Sequence, residues 1–335
     1  MKTSRRSLFG LGIGAAAASV ALTPGVASAE EPAVYAAPDA TTASRLIDAV
    51  YRWHSGRAGG QWNGYVSIAG TGRPTTIAVD DGSDSVLQAL SVNKVPVAVA
   101  VMDKVDRGLI SLSDQVAVTA DIIIPDGDGL FRLDGAYPSV ITVGHAIANL
   151  LTISDDTAVR LCGLVAPAAE INEILVAKGF PNTQVEPVAN PNRFYLGTST
   201  PKEMHDFFNA LVAGTLLSPE STAFLLNLLR SPVAFTDGVR REMSSNERLR
   251  VATKAGWLND ERHEAGIIFD AAGAPVVTYS LWASGQGAPD DFGATHPAVA
   301  ARSRMGRAFM SIVDLLPGVS ALSSPIPPYQ PTNGG

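Results

Sequence analysis

Ser91 stands three residues before Lys94 in the stretch Ala89-Leu90-Ser91-Val92-Asn93-Lys94-Val95-Pro96-Val97, at the head of a long apolar run. On a helix, positions i and i+3 share a face, so the serine Oγ and the lysine Nζ can meet. A serine hydroxyl is a weak nucleophile until a base takes its proton. A lysine serves as that base only when burial or a neighbouring cation lowers its pKa. A helix N-terminus adds free backbone N–H groups and partial positive charge beside the serine. The pair therefore outlines an acyl-transfer site. The same stretch also describes an ordinary helix start with a solvated lysine, and the choice between the two rests on the remainder of the chain.

The composition favours a folded scaffold for such a site. Of the 335 residues, 46% are hydrophobic and 17% charged, enough apolar material for a sizeable core. A formal net charge of −7 gives no support for nucleic-acid binding. Residues 1–29 read as an export signal. Paired Arg5-Arg6 precede an Ala/Gly-rich apolar run, and Ala27-Ser28-Ala29 offers a small-residue cleavage site, so a twin-arginine type of address and a secreted or cell-envelope location are expected. An ordinary secretory peptide would export the chain equally. No later run is long and clean enough to span a bilayer in the mature protein. Cys162 is the one cysteine, which precludes an intramolecular disulfide, and its apolar helical setting predicts a buried, inert thiol. The five histidines are scattered without zinc-ligand spacing, so we expect neither metal nor cofactor.

Apolar periodicity predicts a helix over 42–53, then strands over 64–69 and 75–79 joined by a Gly/Pro turn. After the Ser91 run come a glycine-rich loop at 126–129 and helical segments over 142–152, 157–164 and 167–178. Residues 186–199 lack periodicity and read as a long irregular loop, of the kind that is functional or disordered. Thr200-Pro201-Lys202-Glu203 is a strong helix start. A further helix over 218–229, three hairpin-linked strands within 250–284, and a closing helix over 297–315 complete the pattern. Strands at both ends and helices between them suggest an α/β (α+β) chain. Its five-stranded antiparallel sheet would be built from 30–85 and 231–316, with an all-α domain inserted over 86–230 and a disordered tail over 317–335.

Ser91-Val92-Asn93-Lys94, Ser154-Asp155-Asp156 and Lys254-Ala255-Gly256 follow the order S-x-x-K, S-D-N, K-T-G. This set resembles that of class A β-lactamases and penicillin-binding proteins, and the likeness extends over most of residues 40–315. It implies the β-lactamase/transpeptidase-like fold. It also implies roles: Ser91 as the acylated nucleophile, Lys94 as a base toward it, Ser154 as proton relay to the leaving nitrogen, and Lys254 as the cation that holds that hydroxyl and attracts a substrate carboxylate. The backbone N–H groups of Ser91 and Trp257 would form the oxyanion hole, and Gly256 would belong to the substrate site. Elementary chemistry is consistent with this, since two nearby ammonium groups disfavour each other's charge and a hydroxyl between them can pass a proton.

Class A β-lactamases carry an E-P-x-L-N run, and this chain reads Glu186-Pro187-Val188-Ala189-Asn190. The resemblance makes Glu186 the base for deacylation and Asn190 its water-positioning partner; a solvated loop glutamate is the plainer reading. Whether Lys94 or Glu186 serves acylation is left open. Two departures stand out. Asp156 replaces the family's Asn, and an ionised Asp only accepts hydrogen bonds. It can weaken Lys94 as a base by favouring its charged form, or simply fix its position. Ala255 replaces Thr and removes a hydroxyl from the expected carboxylate site. The resemblance implies a class A-like β-lactamase acting on β-lactams or similar small amides and esters; with the N-terminal signal, an exported enzyme is expected, and a monomer. A D-alanyl-D-alanine peptidase or transpeptidase on cell-wall peptide and a β-lactam-binding protein that stays acylated are the alternatives.

Overall fold

The computed structural model describes residues 39–70, 73–316 and 327. The expected export signal over 1–29 lies outside the described residues, as does the expected disordered tail except Pro327, whose carbonyl accepts a hydrogen bond from Arg230 Nη1 at 2.9 Å.

In chain order the elements are α1 (Ala40–Ala58), β1 (Gln61–Gly70), β2 (Arg73–Asp81), β3 (Leu87–Gln88), a 3₁₀ turn (Leu90–Asn93), α2 (Lys94–Asp106) and β4 (Gln115–Val118). Then follow α3 (Phe131–Asp134), β5 (Ser139–Thr142), α4 (Val143–Thr152), α5 (Asp156–Val165), α6 (Ala168–Ala177), β6 (Gln184–Pro187) and β7 (Phe194–Ser199). The chain continues through α7 (Pro201–Val212), α8 (Pro219–Arg230), α9 (Ser245–Arg248), β8 (Val251–Leu258), β9 (Glu261–Phe269), β10 (Pro275–Ser284) and α10 (Pro297–Leu315). Five strands form one antiparallel sheet in the order β2-β1-β10-β9-β8, so strands from both ends of the chain meet at β1 and β10. To the expected helices the central part of the chain adds two small sheets, β3-β7-β6 and β4-β5.

The sheet's two faces pack differently. Val66, Ile68, Val277 and Tyr279 alternate along β1 and β10 toward one face and pack with Ile47 and Tyr51 of α1 and with Phe309 of α10. The opposite face meets a second core centred on α2, whose residues Lys94 to Met102 are all buried. A helix apolar all round belongs inside a helical layer, and α2 packs against α4, α5, α6 and α8. Local capping sets where these helices begin. Thr142, Asp155, Thr200 and Ser218 accept from backbone N–H groups of α4, α5, α7 and α8. Cys162 is buried in α5, and burial pushes its thiol up to about 12, out of the reactive range.

Two sequence readings need correction. Ser91 lies not on the α-helix but on the 3₁₀ turn before it. Residues i and i+3 eclipse in that geometry, so the shared face survives the change. The stretch 186–199, read as irregular, holds most of the β6–β7 hairpin. Its pairing is fixed by a side chain from elsewhere: Asn93 Nδ2 donates to the carbonyls of Gln184, Leu196 and Thr198 at 3.3, 2.6 and 3.0 Å.

Candidate active site

The nucleophile turn is held against two strands. Leu90, immediately before Ser91, has φ 54°, a left-handed conformation that a branched side chain adopts only under constraint. The constraint is visible on both sides. Ala89 N donates to Gly197 O at 2.9 Å, and Leu90, Val92 and Asn93 are buried. Across the turn lies β8. A Cβ placed on Gly256 would stand 2.6 Å from Ser91 N and 2.9 Å from Leu90 Cβ, so only glycine allows this approach. β8 is the edge strand of the five, so Trp257, the next residue, sits on a backbone edge with no further strand. Ser91 N and the Gly256-Trp257 backbone are thereby brought side by side, as an oxyanion hole requires. Among the described residues Ser91 Oγ accepts or donates no hydrogen bond.

Beside the turn, three chain segments converge on one hydroxyl. Lys94 Nζ, fully buried, donates to Ser154 Oγ at 3.0 Å, Ser154 O at 2.5 Å and Asp156 Oδ1 at 2.7 Å. Lys254 Nζ, also buried, donates to Ser154 Oγ at 2.9 Å and to Ala255 O at 2.6 Å. Ser154 Oγ thus accepts from both lysines, which occupies its lone pairs and leaves its own O–H free to donate. Burial lowers Lys94, with Asp156 opposing the shift. Burial and the charge of Lys94 lower Lys254 well below its ordinary value. Ser154 itself has φ 59°, a second left-handed residue at the cluster.

Asp156 closes the arrangement from the helical side. Its Oδ1 takes the Lys94 proton donor, its Oδ2 accepts from Asp128 N at 2.8 Å, and its own N donates to Asp128 O at 3.0 Å. The carboxylate is partly exposed and lines a separate cavity with Arg160, Arg193 and Tyr195, not the one beside Lys254. Its neighbour Asp155, unassigned from sequence, is a brace: its Oδ2 accepts from Leu130 N and Phe131 N at 2.6 and 3.0 Å while its Oδ1 caps α5. The signal for it was present, since Asp before an apolar helical run is a cap.

A cavity of about 420 Å³ opens beside Ser154, Lys254, Ala255 and Trp257. Its opposite wall is the segment 232–237, where Phe235 packs on Trp257 with ring centroids 5.9 Å apart. Nothing in the sequence marked that segment as part of a site. Two expected residues are not brought into the cluster. Glu186 is exposed on β6, opposite Tyr195, and its carboxylate makes no hydrogen bond among the described residues. Asn190 is exposed in the hairpin turn, where its Oδ1 accepts from Asn192 N at 3.0 Å and its carbonyl from Arg193 N at 2.9 Å. Among the described residues no helix is long and apolar enough to cross a membrane, and no group of three or more His, Cys, Asp or Glu could hold a metal ion.

The sequence pattern of the Beta-lactamase enzyme family matches residues 45–314. The chain belongs to this family. Similar solved structures agree in fold. A β-lactamase from Sphaerobacter thermophilus is 21% identical with a TM-score of 0.65, covering 81% of this chain and 97% of that one. A representative class A β-lactamase from Bacteroides cellulosilyticus is 16% identical with a TM-score of 0.66, covering 81% and 98%. A PBP-A mutant, solved as an acyl-enzyme complex with penicillin G, is 19% identical with a TM-score of 0.62, covering 79% and 96%. No curated protein sequence matches the chain.

Proposed function

We propose that this family member is an exported serine acyl-transfer enzyme of class A-like design that opens β-lactams or similar small amides and esters through an ester on Ser91. The observation that carries the reading is Ser154 Oγ held between Lys94 Nζ and Lys254 Nζ at 3.0 and 2.9 Å, next to the Ser91 turn. Ser91 Oγ attacks the carbonyl carbon, and its proton passes to the neutral form of Lys94, which burial favours. The oxyanion meets the backbone N–H groups of Ser91 and Trp257, where one good donor is worth about 2.7–4 kcal/mol. The leaving nitrogen takes the free proton of Ser154, which Lys94 then replaces. Lys254 supplies positive charge to a substrate carboxylate in the adjoining cavity. Export is supported by the paired arginines and apolar run at the N-terminus.

A second reading is favoured by specific contacts. Lys94 donates to three acceptors, one of them a carboxylate, and Glu186 is engaged with none of the cluster. An acyl-enzyme formed here would therefore be hydrolysed slowly, as in a penicillin-binding protein. Intact-mass measurement after mixing with penicillin G tests both. We expect one penicilloyl group on the parent and none on Ser91→Ala with the fold retained. A labelled Ser91→Ala overturns the assignment, and the lifetime of the parent adduct separates hydrolase from slow acylator.

A further inference from the structure

A second serine is armed elsewhere in the molecule. Where β1 and β10 face α7, the strands present Tyr65, Ser67, Thr278 and Ser280, paired in register as Ser67 with Thr278 and Tyr65 with Ser280. An interlayer contact would ordinarily be apolar, as it is on the opposite face of the same strands. Here it contains a Ser–His–Asp chain. Ser67 Oγ lies 2.8 Å from His205 Nε2, and His205 Nδ1 lies 2.9 Å from Asp206 Oδ1. A carboxylate can only accept, so Nδ1 carries the hydrogen, and Nε2 offers its lone pair to the Ser67 hydroxyl. The ring is fixed in place. Tyr65 meets it edge-on at 4.8 Å, and Asp206 is anchored by Lys202 Nζ at 2.7 Å. Burial of the imidazole lowers its pKa, which keeps it neutral as a base must be.

Ser67 is buried, but it borders open space. It lines a cavity of about 320 Å³ together with Ala69, Thr75, Asn209, Ala213 and Thr278, whose rim reaches solvent at Thr75 and Ala213. Asn209 uses its Oδ1 to accept from the Thr278 hydroxyl at 2.6 Å, which turns its Nδ2 to the Ser67 side, 3.4 Å from His205 Nε2. An N–H donor thus stands next to the nucleophile and its base. Among the described residues no lysine or arginine lines this cavity, unlike the one beside Lys254.

We propose that Ser67, His205 and Asp206 form a second nucleophilic site, independent of Ser91, that takes small uncharged carboxylic esters through the cavity bounded by Asn209 and Thr278. Ser67 Oγ bonds to the ester carbonyl carbon as its proton passes to His205 Nε2, and Asp206 stabilises the resulting imidazolium. Asn209 Nδ2 donates to the oxyanion. Collapse breaks the bond to the alcohol, which leaves with the proton from Nε2. Water, deprotonated by the same nitrogen, then attacks the acyl carbon, releasing the carboxylic acid and restoring Ser67.

The test uses the full chain carrying Ser91→Ala, so that the first site is silent. p-Nitrophenyl acetate hydrolysis is followed, and a fluorophosphonate label is located by peptide mass mapping. We expect the label on the peptide containing Ser67. Adding Ser67→Ala should lower hydrolysis by about 10²-fold or more, the scale of a lost nucleophile–base couple. Asp206→Asn, at a half-exposed position that tolerates an isostere, should lower it similarly by favouring the wrong imidazole tautomer. Ser67→Ala alone should leave penicillin labelling of Ser91 unchanged, which shows that the fold is intact. A label absent from Ser67, or hydrolysis that survives Ser67→Ala, overturns the proposal.

Discussion

Asp156 ties the nucleophile helix to the 126–129 loop. One carboxylate oxygen holds the buried ammonium of Lys94, and the other holds the backbone of the 126–129 loop. A negative charge 2.7 Å from Nζ stabilises the protonated lysine, so the base form is scarcer than burial alone would make it. Replacing it with the neutral amide keeps an acceptor for Lys94 and removes the charge. Asp156→Asn should therefore shift the acid limb of the acylation pH profile to lower pH. At neutral pH it should raise the acylation rate by about tenfold for each unit by which Lys94 falls. Pre-steady-state acylation measured across pH checks this. A slower variant with an unmoved profile would mean that Asp156 matters mainly for holding Lys94 in place.

The same residue shows how much of the site was legible in the sequence. Ser91, Lys94, Ser154 and Lys254 were nameable because their order and residue types carry the chemistry, and the structure brings Lys94 and Lys254 onto one hydroxyl. The consequence of Asp156 was not decidable from sequence, since an acid there could weaken or merely fix Lys94, and the hold of its second oxygen on Asp128 N was not visible there. Asp155 shows the opposite failing. Its capping signal was plain, but its grip on Leu130 and Phe131 depends on a loop about 25 residues away that no local pattern reveals.

Among the elements, the β6–β7 hairpin is one that sequence missed, and the reason is that its order is imposed from the nucleophile turn. Asn93 sits between Ser91 and Lys94 and donates its amide hydrogens to three carbonyls of the hairpin. Helices such as α7 and α10 announce themselves through caps and periodicity, whereas a hairpin pinned by one distant amide shows no alternation of its own. Asn93→Ala leaves those part-buried carbonyls short of donors, at a cost of about 1 kcal/mol, toward the low end for an unsatisfied group. The loss should be local. Hydrogen exchange of residues 184–199 should quicken more than that of the five-stranded sheet. A uniform loss of protection would make Asn93 an ordinary core residue.

At the scale of the whole molecule, the five-stranded sheet separates two cores, and polar groups are buried along it. One of the buried histidines is His263 on β9, stacked on Trp282 of β10 with centroids 4.7 Å apart. Its Nδ1 accepts from Ala283 N at 3.3 Å, and Nε2 has no partner among the described residues. Burial pulls its pKa down to about 3, while an unfolded histidine titrates near its ordinary value of about 6.5. Between those values the unfolded chain binds a proton that the folded chain refuses. Stability from His263 is therefore fully present above pH about 6.5 and falls as the pH drops toward 3, with a limiting slope of about 1.4 kcal/mol per pH unit for one proton. Burial also lowers His54, His205 and His296, so the parent's slope is shared among several rings. Unfolding free energies from urea titrations at intervals between pH 7 and 5 measure it above most carboxylate titration. His263→Phe keeps an aromatic ring against Trp282 and removes the titrating group, so its slope below pH 6 should be shallower than the parent's by up to about 1.4 kcal/mol per pH unit, even though its stability at pH 7 is lower through the lost hydrogen bond. Parallel curves for parent and variant would show that His263 takes up its proton without unfolding.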